Sequence, residues 1–95
     1  MQDDDAFEWD DAKAGENYAK HGVDFQTARQ VFRDPFAIEV LDDREDYGED
    51  RFVLIGMAEG ALLAVIHTER DGRIRLISAR RATRHEHDEY FAQNG

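Results

Sequence analysis

Ninety-five residues at a formal net charge of −10, 41% hydrophobic and 11% aromatic, describe one small folded domain rather than a disordered chain. No cysteine is present, which excludes disulfides and thiolate metal sites, and no apolar run approaches the ~20 residues that span a bilayer. The opening Met1-Gln2-Asp3-Asp4-Asp5 is the reverse of a cationic targeting segment, so a cytoplasmic location is expected.

Residues 1–6 read as an acidic tail, and residues 7–95 as a single domain. The first regular element follows Phe7-Glu8-Trp9-Asp10, with Asp10 as N-cap of a helix from about Asp11 to His21. Gly22 supplies the left-handed residue that ends it, and Lys20 and His21 complement the helix dipole. Asp24 caps a second helix whose apolar face is Phe25, Ala28, Val31 and Phe32, and Asp34-Pro35 stops it. The period then changes. Phe36–Leu41, Arg51–Met57, Ala61–Glu69 and Arg73–Ala79 read as four strands, separated by an acidic loop over 42–50, a turn at Ala58-Glu59-Gly60 and a hairpin at Asp71-Gly72. Thr83 and Glu86 form a capping box for a last helix to about Gln93. The order predicts an α+β fold: two N-terminal helices, a four-stranded antiparallel meander and a short C-terminal helix.

Charge is distributed unevenly. The acids crowd the first half, whereas Arg70, Arg73, Arg75, Arg80, Arg81 and Arg84 crowd one stretch of the second. In so acidic a chain, that concentration points to a phosphate-bearing partner recognised locally rather than through the mean field. These arginines are expected to form one cationic strip along the last hairpin and the helix after it.

A two-residue turn at Asp71-Gly72 places His67 opposite Leu76, Val65 opposite Ser78 and Leu63 opposite Arg80. These residues then share a mixed sheet face with Glu69 and Ile74, the expected site, while Ile66, Ile77, Ala64 and Ala79 face the helices. A three-residue turn around Gly60 sets Arg51 against His67; a two-residue turn sets Phe52 there, and the sequence allows both. Metal-free RNA cleavage needs proton transfer, for which His67 and Glu69 are candidates. It also needs cations to hold phosphorane charge, for which Arg51, Arg80, Arg81 and Arg84 are candidates. Along a strand, His67 and Arg80 lie about 13 Å apart, too far to grip one phosphate. His85 and His87 diverge on a helix, and His85 with Glu89 lacks a third ligand, so neither metal nor cofactor is expected.

The ordered series Phe7-x-Trp9-Asp10-x-x-Lys13-x-x-x-Asn17-x-x-Lys20-His21-Gly22-Val23-x-Phe25-x-x-Ala28 resembles the opening of the BrnT family of bacterial type II toxins. The likeness continues through Val31-Phe32-x-Asp34-Pro35, Arg51-x-x-x-Ile55-Gly56, Thr68-Glu69-Arg70 and Arg73-Ile74-Arg75-x-Ile77-Ser78-Ala79-Arg80-Arg81-Ala82-Thr83-x-x-Glu86-x-x-x-Tyr90. This resemblance implies a RelE-like fold and a ribonuclease toxin that arrests translation. It also implies neutralisation by a BrnA-like ribbon-helix-helix antitoxin that binds the shared operator. Function is carried onto Lys20, His21, Arg51, Glu69, Arg70, Arg80, Arg81 and Tyr90. Joined to the reading of the residues, this gives an expected catalytic set of His67, Glu69, Arg80, Arg81 and Tyr90. The expected RNA contacts are Lys20, His21, Arg51, Arg70 and Arg84. The rival expectation, drawn from the net charge, is a toxin-fold binding module that works with its DNA-binding antitoxin without useful catalysis.

Overall fold

A computed structural model describes residues 6–44, 46 and 48–94. Residues 1–5 of the expected acidic tail, and Glu45 and Tyr47 of the 42–50 loop, lie outside the described residues. The elements are β1 (Phe7–Glu8), α1 (Asp11–His21), α2 (Phe25–Ala28), β2 (Ile38–Asp42), β3 (Arg51–Ala58), β4 (Ala61–Arg70), β5 (Arg73–Arg81) and α3 (Arg84–Asn94). A 3₁₀ segment, Arg29–Arg33, continues α2.

The expected four-stranded antiparallel sheet beneath two N-terminal helices is corrected. The sheet has five strands in the order β1-β5-β4-β3-β2, and β1 runs parallel to β5, pairing Phe7 with Ile74 and Glu8 with Arg75. The second helix keeps only one α turn before tightening to 3₁₀. Three helices therefore accompany a mixed sheet.

Local signals set the helix ends. The Asp10 carboxylate accepts from Lys13 N–H at 3.1 Å, and Asp24 accepts from Thr27 N–H at 2.7 Å. Glu86 N–H donates to Thr83 Oγ1, and Thr83 N–H donates to Glu86 Oε1, which completes the capping box. At both hairpin tips two successive residues take positive φ, Glu59 with Gly60 and Asp71 with Gly72, the conformation of a two-residue turn that matches strand twist.

Both faces of the sheet are covered. Leu54, Ala58, Leu63, Val65, Leu76 and Ala79 pack beneath Val23, Phe25, Ala28 and Val31 on one side. Val53, Ile55, Leu62, Ala64 and Ile66 pack beneath Tyr90 of α3 on the other. Gly56 permits the first contact: a Cβ there would lie 2.9 Å from Val31 Cγ1 and 3.2 Å from Asp34 Oδ2. Asp34 joins the layers, since its carboxylate accepts from Tyr90 Oη, Met57 N–H and Phe36 N–H at 2.7–2.9 Å. Burial opposes ionisation of Asp34, but these three donors outweigh it and hold the carboxyl below its usual range.

The register contains one break. His67 opposes Leu76 as expected, but beyond it Ile66 opposes Ser78, Val65 opposes Ala79, Ala64 opposes Arg80 and Leu63 opposes Arg81. A bulge in β5 adds one residue and reverses the faces of the residues beyond it. Arg80 therefore points toward α3, and Arg81 emerges on the side of the N-terminal helices.

Candidate nucleic-acid groove

Helix α1 lies against the edge of β5 beyond the end of β1, and Asn17 makes the junction. Its carboxamide does what a neighbouring strand would do. Nδ2 donates to the Ala79 carbonyl at 2.9 Å and to the Val23 carbonyl at 3.0 Å, while Oδ1 accepts from Ala79 N–H at 3.1 Å. Ser78 Oγ donates to the same Oδ1. Buried at 7% exposure, Asn17 satisfies backbone groups that an uncovered edge would leave to water.

This docking opens a polar groove of about 490 Å³ between α1 and the ends of β3, β4 and β5. Lys13, Lys20 and His21 line it from one face of α1, since Lys20 and His21 follow Lys13 by about two helical turns. Arg51, Arg70 and Arg75 line it from three adjacent strands, with Glu49 between. Lys13 and Lys20 make no ion pair among the described residues, whereas the arginines are held. Arg75 Nη1 lies 3.1 Å from Glu8 Oε2, and Glu49 reaches both Arg51 and Arg70.

Four expected RNA contacts, Lys20, His21, Arg51 and Arg70, converge here. Arg84 does not, being exposed on α3 and paired with Asp88 one helical turn on. Lys13 was missed, and Arg75 was counted in the cationic strip but not among the expected RNA contacts. The signal for Lys13 was its place with Lys20 on one helix face.

The expected catalytic residues are dispersed. His67 is 4% exposed, packed edge-on to Phe32 and tilted against Phe52, with Nε2 3.3 Å from Glu39 Oε1. Burial lowers its pKa against the opposing pull of Glu39 and Glu69. Phe52, not Arg51, is its partner across β3, which resolves the open register at Gly60. The face expected to carry the site is thus the one beneath the N-terminal helices. Glu69 is exposed near the hairpin tip and lines no part of the groove.

Arg80 meets Glu86 through two bonds of 2.7 and 3.0 Å. This pairing raises the Arg80 pKa and lowers that of Glu86 in spite of burial. Arg81 lines a separate cleft with Tyr18 and Asp24. Tyr90 is 4% exposed, its hydroxyl tied to Asp34. Burial and that carboxylate push its pKa up to about 12. The single cationic strip therefore does not exist: Arg73 and Arg75 turn to Glu8, Arg70 to Glu49, Arg80 to Glu86 and Arg84 to Asp88. In its place stands the groove, two of whose five lysines and arginines come from α1.

Among the described residues no three His, Cys, Asp or Glu side chains are grouped to hold a metal, and no helix is long and apolar enough to cross a membrane.

An α+β domain here gathers two lysines, three arginines and a histidine, together with Asp10, Glu16 and Glu49, around one groove. Residues 9–86 match the model of the family described as the ribonuclease toxin, BrnT, of type II toxin–antitoxin systems, and the chain belongs to that family. It is accordingly a ribonuclease toxin of a toxin–antitoxin pair. No curated protein matches the sequence.

Proposed function

We propose that this chain is a metal-independent endoribonuclease that cuts RNA within the α1–sheet groove and so arrests translation and growth in the cytoplasm. A BrnA-like ribbon-helix-helix antitoxin silences it and carries the pair to operator DNA. One observation above all supports the reading: Lys13, Lys20, His21, Arg51, Arg70 and Arg75 share one groove in a chain of net charge −10.

In this reading the proton-transfer role moves from His67 to His21, the groove's imidazole. His21 takes the proton of a ribose 2′-hydroxyl as that oxygen attacks the adjacent phosphorus. The phosphorus–5′-oxygen bond breaks, and the imidazolium returns the proton to the leaving oxygen. The products are a 2′,3′-cyclic phosphate and a 5′-hydroxyl. Arg51, Arg70 and Lys20 hold the charge that builds on the phosphorane oxygens.

The test is induction of the gene alone and beside its antitoxin, with RNA integrity and growth followed for wild type, His21→Ala and Lys20→Ala. Intact circular dichroism with lost cleavage in the variants is expected. Cleavage that survives His21→Ala unchanged contradicts the assignment. A second reading, a weakly catalytic binding module and corepressor, is favoured by the carboxylate of Glu49 between two groove arginines. It requires that wild type, expressed without its partner, leave RNA and growth untouched.

A further inference from the structure

Glu49 gives one oxygen to each of two guanidinium groups. Oε2 lies 3.3 Å from Arg51 Nε, and Oε1 lies 3.3 Å from Arg70 Nη2. Two arginines sharing the two oxygens of one anion is also how a pair of guanidinium groups would take the non-bridging oxygens of a phosphodiester. We propose that Glu49 is an internal stand-in for a backbone phosphate, keeping Arg51 and Arg70 aligned in free protein and giving up its place when RNA enters. This inference rests on the groove being the RNA site.

Three features fit a replaceable anion better than a structural bridge. Both contacts exceed the 2.7–2.9 Å usual for charge-assisted bonds. The Glu49 side chain is 29% exposed and that of Arg70 48%, so water competes for the contact. The backbone around Glu49 is also fixed elsewhere. Thr68 Oγ1 donates to the Asp50 carbonyl at 2.6 Å, and Gly48, at φ 73°, donates its N–H to Asp46 Oδ1. The carboxylate can therefore leave by side-chain rotation while β3 stays paired to β4. Such a device gives part of the acidic loop a role, that of neutralising groove cations which would otherwise repel one another when no phosphate is present.

The experiment titrates wild type, Glu49→Gln, Asp43→Asn and Lys20→Ala, each as the full chain. The probe is a short fluorescent oligonucleotide with 2′-deoxy sugars, which cannot be cleaved by 2′-hydroxyl attack, at fixed ionic strength. Glu49→Gln should tighten binding about three- to tenfold, the worth of two partly exposed ion pairs. Asp43→Asn, which removes the same charge from the same loop away from the groove, should change it less than about 1.5-fold. Equal tightening by both variants, or none from Glu49→Gln, overturns the stand-in. Lys20→Ala separates the two levels. If it weakens binding while Glu49→Gln changes nothing, the stand-in fails and the groove survives; if it binds as wild type does, groove and stand-in fall together.

Discussion

Two arginine–glutamate contacts in this molecule are built to opposite ends. Arg80 and Glu86 meet through two short bonds, with side chains 27% and 16% exposed, and the same glutamate closes the cap of α3. Arg51 and Arg70 share Glu49 at 3.3 Å each beside an open groove. The first contact fastens a helix to a sheet. The second leaves its guanidinium groups where a ligand can compete for them. An arginine's place in the sequence says little about which of these it will be; the geometry of its carboxylate says a great deal.

Breaking the groove should produce the largest effect. Arg51→Ala with Arg70→Ala is expected to lower RNA cleavage about 10²–10³-fold, the usual worth of a lost oxyanion contact, with thermal unfolding little changed. A measured loss below about threefold would place the chemistry elsewhere. Breaking the other pair should do the reverse. Glu86→Ala strands a largely buried guanidinium and opens the α3 cap, so it should cost about 1–3 kcal/mol in denaturant unfolding. Oligonucleotide affinity should stay the same.

Tyr90 sharpens the contrast on the structural side. Its pKa rises from an ordinary 10.0 to about 12. The unfolded chain therefore gives up this proton first as pH rises, and the contribution, complete below pH 10, is lost between pH 10 and about 12. Denaturation midpoints should fall across that window in wild type, and less steeply in Tyr90→Phe. Smallest of all, Arg84→Ala breaks an exposed helix pair and should shift stability by less than about 0.5 kcal/mol, with cleavage unaltered.

Much of the fold was legible because it is written locally. Asp10, Gly22, Asp24 and Thr83 mark helix ends whose hydrogen bonds close within a few residues, and Asp71-Gly72 sets a hairpin on its own. Two features of the sheet escaped. Phe7–Glu8 is too brief to show a strand period and exists only by pairing with β5. The β5 bulge falls at Ile77-Ser78, with no glycine to announce it, and that one extra residue turned Arg80 away from the face where alternation had put it.

The groove was half legible for a related reason. Its helical cations repeat at a readable spacing, but its strand cations converge only through pairings of β3, β4 and β5. Asn17 shows the same limit. A single carboxamide on a polar helix has no periodicity to announce it, yet it closes the edge of the sheet.

The most direct measurement is amide hydrogen exchange across the whole chain, with and without saturating non-cleavable oligonucleotide. New protection is expected in α1 around Lys13–His21, at Glu49–Arg51 and along Thr68–Ser78, with α3 unchanged. Protection centred on Arg80, Arg81 and Arg84–Asn94, with the α1 groove exchanging as in free protein, would contradict the assignment of RNA to the groove.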